Sequence, residues 1–207
     1  MAEERMVFGT ARNGDKVEKI LLRRNGMEAE IITFGATLTA LRVPAPDGEL
    51  TDVVLGCTSV EAYEESTCYL GAVVGRCANR IGGAAFQLDG QRYVLAPNEG
   101  SKQLHGGLHG FSYRVFEVDQ LAEDWVRLTY RSADGEEGYP GNVKTAVTYT
   151  LTDRGLSIRY RAETDRPTVV NLTNHIILLK SNLSSLIKMS MWYVPTLKYG
   201  PIGSRFI

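Results

Sequence analysis

Apolar and polar residues alternate in short runs along most of this chain, and turn residues cut the runs apart. A period of two puts every second side chain on one face of a strand, so each run reads as a half-buried β-strand. Residues 6–10, 17–23 and 27–34 come first, with Asn25-Gly26 as a two-residue hairpin signal between the second and third. Residues 36–43 follow until Pro44, Pro46 and Asp47-Gly48 break them, and 52–56 resume. Residues 59–65 carry helix chemistry: Ser59 caps the first turn and acidic residues follow it. Next come a hairpin of 85–88 and 92–95 about Asp89-Gly90, runs at 111–119 and 125–131, and a second hairpin of 143–151 and 156–162. Residues 168–172 form the last run. Strands of this length, spaced by turn chemistry, predict an all-β protein, either an antiparallel sandwich or a barrel.

One stretch departs from simple alternation. From Gly71 the sequence reads GAVVGRCANRIGG, passes through the 85–95 hairpin, and ends in Leu104-His105-Gly106-Gly107. Glycine lets a backbone adopt positive φ or approach a ligand closely, so polar side chains set among glycines point to a site. His105 and His175 are the candidates for proton transfer, because imidazole titrates near neutrality. A lone histidine is more often structural, and the proposal depends on the two segments meeting in space. Arg80, beside Asn79, offers a planar donor fork for hydroxyls or carboxylates; its alternative is a surface ion pair. His109 stands four residues after His105, but the glycines between and after them argue against a helical zinc pair, so no metal is expected. Glu136 and Glu137 read as solvated loop charges.

The 207 residues, 43% hydrophobic and 23% charged, suffice for a real core. A net charge of −1 gives no basic surface, so no nucleic-acid partner is expected. Cys57, Cys68 and Cys77 are odd in number and lack metal spacing, which suits reduced thiols and a cytoplasmic location. The N-terminal residues hold no apolar signal core, and no uncharged run is long enough to cross a membrane. Composition changes after His175. Residues 176–207 carry Lys180, Lys188, Lys198 and Arg205 with no acidic residue, and their pattern predicts neither a strand pair nor a helix.

The string Gly71, Gly75, Arg76, Ala78, Asn79, Arg80, Ile81, followed by Phe86 to Tyr93, Asn98 with Gly100, Leu104 to Phe111, the DGEEGYPG loop and NLTNH, resembles the galactose mutarotase (aldose 1-epimerase) family. The matches fall in order over about residues 6–175. The resemblance implies a large antiparallel β-sandwich, the galactose mutarotase-like supersandwich, and interconversion of the α and β anomers of free aldohexoses without cofactor or metal. By the same resemblance His175 is the general acid. His105 binds the sugar and polarises the ring oxygen, and Asn79 and Arg80 hold sugar hydroxyls; His109 takes no role. The family also uses an acidic sugar ligand and a glutamate base further along its pattern, and residues 176–207 supply neither. The expectation is therefore a mutarotase-like N-terminal part over 1–175, a divergent tail over 176–207, and a truncated domain with impaired activity. Two alternatives stand beside it: a non-catalytic carbohydrate-binding relative, and epimerisation of a phosphorylated hexose. The latter asks for a basic cluster beyond Arg76 and Arg80. The oligomeric state is left open.

Overall fold

The structure is a computed structural model that describes residues 4–179 and 190–193. Most of the predicted tail at 176–207 therefore lies outside the described residues. The first sheet holds five strands in sequence order: β1 (Glu4–Thr10), β2 (Lys16–Arg24), β3 (Met27–Ile32), β4 (Thr37–Pro44) and β5 (Leu50–Asp52). Neighbours pair antiparallel, with Arg24 opposite Met27 across the Asn25-Gly26 turn. The single α-helix among the described residues, α1 (Val60–Glu65), is capped as expected, the Ala62 N–H donating to Ser59 Oγ at 3.3 Å.

A connecting region of short strands follows: β6 (Val73–Val74), β7 (Arg80–Ile81), β8 (Ala85–Leu88), β9 (Gln91–Val94) and β10 (Gln103–Leu104). The second large sheet contains β11 (Glu117–Leu121), β12 (Trp125–Ser132), β13 (Val143–Thr152) and β14 (Gly155–Thr164). β15 (Thr173–Asn174) returns to pair with β6, and β16 (Ser190–Tyr193) lies parallel to β14 at the edge of the second sheet. Residues 190–193 of the tail thus pair with the second sheet, although the pattern of 176–207 singles out no strand.

The two sheets face each other across one core. Ile20, Leu22, Ile31 and Leu38 from the first pack with Val126, Leu128, Val147, Leu151 and Ile158 from the second. Along β13 the period of two is plain: Val143, Thr145, Val147, Tyr149 and Leu151 are buried, while the residues between them are exposed or half-buried. Removing this apolar area from water is the main favourable contribution to folding. The all-β sandwich reading holds, and among the described residues no helix is long and apolar enough to cross a membrane.

Three predicted strands shift or dissolve, each because a long-range bond outweighs local pattern. The run at 52–56 gives way to β5, since Asp52 Oδ1 accepts from the N–H groups of Leu41 (3.0 Å) and Val54 (3.1 Å) and turns the chain. The run at 111–119 opens as a 3₁₀ turn over Phe111–Tyr113, where the Phe111 N–H donates to the Gly75 carbonyl at 3.1 Å. The run at 168–172 is not a strand. Asn171 is instead bonded to the glycine-rich stretch, its N–H to the Arg76 carbonyl and its carbonyl from the Ala78 N–H, both at 2.8 Å.

Glu136 and Glu137 are also not solvated. Glu136 accepts from Tyr130 (2.7 Å), from the Ser132 hydroxyl and from Arg114 (2.7 Å). Glu137 accepts the backbone N–H groups of Leu108 (3.0 Å) and His109 (2.9 Å).

Arg76 is the largest charged side chain in the interior, 2% exposed. Its guanidinium donates to Ser132 Oγ (2.8 Å) and to the carbonyls of Pro140 (2.9 Å), Ser132 (3.1 Å) and Ala133 (2.6 Å), and stands 5.9 Å from the centre of the Tyr139 ring. Burial pulls its pKa down and nearby Glu136 pushes it back up. A buried cation is tolerable only with its donors paired. Arg76 thus belongs to the scaffold, which removes it from the basic cluster that a phosphorylated sugar would need. Arg76→Met should lower stability by about 3 kcal/mol, because four acceptors lose a charged donor. Urea denaturation of the two proteins tests this, and an unchanged midpoint would show that the guanidinium contributes nothing net.

Candidate functional site

The site begins at the start of the glycine-rich stretch. The Gly71 N–H donates to the His175 carbonyl (2.8 Å), and the His175 N–H donates to the Ala72 carbonyl (2.9 Å), so the two segments are stitched together. The Gly71 carbonyl accepts from Leu38 N–H (3.1 Å) on β4 and from Asn174 Nδ2 (2.9 Å). A Cβ on Gly71 would lie 2.0 Å from the Leu38 carbonyl oxygen, so only glycine permits this approach.

Asn174 completes the anchor. Its Nδ2 also donates to the Tyr149 hydroxyl (2.6 Å), which donates onward to the Ala36 carbonyl (2.6 Å); its Oδ1 accepts from the Tyr160 hydroxyl. Burial raises the pKa of both phenols well above the ordinary tyrosine value, so they remain donors. Both large sheets therefore hold the residue that precedes His175.

His105 is held by a different device. The chain turns there with φ +53°, the His105 N–H donates to the Asn79 carbonyl (3.0 Å), and the Asn79 N–H donates to His105 Nδ1 (3.0 Å). Because Nδ1 accepts, the neutral ring carries its proton on Nε2 and presents an N–H donor. Burial, then the proximity of His175 and Arg80, lowers the His105 pKa, with Glu99 opposing. Asn98 braces the same loop by donating to the carbonyls of Leu104 (2.9 Å) and Gly107 (3.1 Å) and accepting from Leu104 N–H (2.6 Å).

The structure brings His105 and His175 face to edge, ring centres 5.4 Å apart and planes at 74°. Asn79 and Arg80 lie alongside, both exposed. Arg80 is paired in a bidentate manner with Glu99, Nε to Oε2 at 2.5 Å and Nη2 to Oε1 at 2.6 Å, and its Nη1 reaches Asn79 Oδ1 at 3.4 Å. The donor fork is thus oriented before any ligand arrives, and the ion-pair alternative for Arg80 is realised at the site itself. His109 is exposed and engages Glu137 only through its backbone.

Sequence reasoning missed Tyr69 and Glu99. Tyr69 sets its ring 4.9 Å from that of His105 and 6.1 Å from that of His175. Neither residue stands out by type or spacing. The structural sign for Tyr69 is a left-handed backbone, φ +53°, in a residue other than glycine.

Protonation of His105 would cost the Asn79 hydrogen bond, and this sets the sign of its pH dependence. An unfolded chain binds the imidazole proton near pH 6.5, the folded chain only at lower pH. The stability this group contributes is therefore complete above about 6.5 and declines as pH falls toward the folded value. Urea midpoints should drop on acidification below about pH 6.5, and His105→Gln should show a shallower drop; identical slopes would contradict the neutral tautomer.

A sequence profile of the family described as Aldose 1-epimerase matches residues 18–204. Galactose mutarotase of Sus scrofa is 45% identical over 172 residues, covering 83% of this chain and 50% of that protein. Aldose 1-epimerase of Escherichia coli (strain K12) is 40% identical over 168 residues, covering 80% and 49%. An aldose epimerase homologue of C. elegans superposes with a TM-score of 0.74 at 38% identity, covering 77% of this chain and 50% of that one. Galactose 1-epimerase of Lactobacillus acidophilus gives 0.71 at 28% identity, covering 84% and 53%. This chain spans about half the length of the curated relatives it matches. On the profile match and these identities together, the chain belongs to the aldose 1-epimerase family.

Proposed function

We propose that this chain acts on free aldohexoses in interconversion of their α and β anomers. The observation that carries the reading is the pair of imidazoles, His105 with an Nε2 donor and His175 facing it at 5.4 Å, beside the oriented Arg80–Asn79 donors. Anomer exchange requires a proton delivered to the ring oxygen as the C1–O bond breaks, and a proton removed from the C1 hydroxyl as the carbonyl forms. Rotation about the bond to C1 and reversal of both transfers then give the other anomer.

In this reading His175 is the acid that protonates the ring oxygen. His105 steadies the same oxygen through Nε2–H, while Asn79 and Arg80 hold sugar hydroxyls. A sugar hydroxyl is uncharged, which suits a guanidinium already neutralised by Glu99 better than a phosphate would. No step needs a cofactor.

The base is the open half. Residues 176–207 contain no Asp or Glu, so they bring no carboxylate to the C1 hydroxyl, and exchange by these 207 residues is proposed to be impaired. That composition favours a second reading, carbohydrate binding without turnover.

Polarimetry of freshly dissolved α-D-glucose and α-D-galactose separates the two, on protein whose fold is checked by circular dichroism. Acceleration should fall about 10²–10⁴-fold in His175→Ala, and turnover that survives this change would remove His175 from the mechanism. A folded sample that binds galactose without accelerating exchange would establish the binding reading.

A further inference from the structure

Tyr69 stands where a residue needs a reason to be. Its backbone occupies the left-handed region at φ +53°, which side chains other than glycine adopt at a cost, and such outliers gather where geometry serves a site. A tyrosine kept only for core packing would be buried and closely packed. This one is half-buried, and its ring also lines a cavity shared with Phe34, Tyr63 and Tyr113, where Ser112 Oγ has no partner. Among the described residues its hydroxyl makes no hydrogen bond; the turn itself is closed through the backbone, the Ala72 N–H donating to the Tyr69 carbonyl at 3.0 Å.

The side chain's own contacts are with rings. The Tyr69 ring meets His105 edge to face (4.9 Å, 73°), lies 6.1 Å from His175 at 56°, and meets Tyr113 at 6.1 Å and 68°. Aromatic rings favour such perpendicular contacts at centre distances of about 4.5–7 Å. His105 and His175 also meet each other this way, so the three rings form a closed triangle in which each fixes the other two.

We infer that Tyr69 is a positioning residue for the imidazole pair: its ring, not its hydroxyl, sets the planes of His105 and His175 and keeps water off their shared flank. This rests on the reading of those two histidines as the acting pair. The groups facing His105 are Asn79, whose N–H fixes the tautomer, and the charges of Arg80, Glu99 and His175. None of these is removed by changing Tyr69, so a change in His105 reports the ring itself.

The test is long-range ¹H–¹⁵N correlation of the histidine side chains in the full chain, recorded against pH for the parent protein, Tyr69→Phe, Tyr69→Leu and Tyr69→Ala. The parent and Tyr69→Phe should both show the Nε2–H tautomer at His105, with a titration midpoint below 6.5. Tyr69→Ala should show mixed tautomers and a midpoint moved up toward about 6.5, because water regains the ring. Tyr69→Leu, which lacks the aromatic face that meets both imidazoles, decides the matter if the alanine variant does not fold: it should show mixed tautomers at His105 as well. Nitrogen shifts and midpoints that stay at parent values in the folded alanine or leucine variant would overturn the inference, and so would a Tyr69→Phe spectrum that matches the alanine one. Polarimetry with D-galactose on the same samples keeps the underlying reading separate. A parent protein without exchange would count against that reading, while the nitrogen spectra still judge Tyr69. Where exchange is seen, kcat should fall in Tyr69→Ala and KM should stay.

Discussion

The side-chain amide of Asn174 is the point at which sandwich and site become one structure. One end accepts a phenol from β14, and the other donates to a phenol on β13 and to the Gly71 carbonyl, which also receives the β4 backbone. An amide offers two donors and two acceptor sites in one plane. Here both donors and one acceptor site are used, in surroundings where an unmet polar group would be costly. The position of His175 is thus inherited from the packing of the two sheets. A shift of either sheet reaches the imidazole through one intervening residue.

The hydrogen bonds that hold His105 are separate from that hub. Its ring answers to the Asn79 N–H, its loop to Asn98, and Gly106 follows it closely against the glycine-rich stretch. A Cβ on Gly106 would lie 1.7 Å from the Gly75 carbonyl oxygen. The two histidines are therefore delivered by different parts of the chain, one directly after a short strand whose Asn174 is tied to β-sheet phenols and one in a glycine turn. The geometry between them is a product of tertiary structure alone.

That division explains what could be read from the sequence. Strands β2, β3 and β12 to β14 were legible because one face of each is buried, and burial of one face imposes a period of two. Ser59 was legible because a cap is a local contact. His105, His175, Asn79 and Arg80 stood out through polar residues among glycines and through family resemblance, and the structure brings them together. Residues 168–172 and 111–113 were not legible: their apolar pattern is that of a strand, but their backbone bonds go to Arg76, Ala78 and Gly75, far along the chain. Glu137 looked solvated for the same reason, since the N–H groups it satisfies belong to Leu108 and His109. Tyr69 carries its information in a backbone angle, which residue type does not encode.

Arg76 and Arg80 lie in one short segment and live in opposite dielectric surroundings. Arg76 is sealed among carbonyls at 2% exposure, where mobile ions do not reach. Arg80 keeps 49% of its side chain in solvent and its partner Glu99 keeps 38%. Dissolved salt screens charges over about 8 Å at physiological ionic strength, and only in the aqueous phase. Ionic strength is therefore a selective lever on this molecule. It loosens the exposed Arg80–Glu99 pair and leaves the buried Arg76 contacts beneath it unchanged.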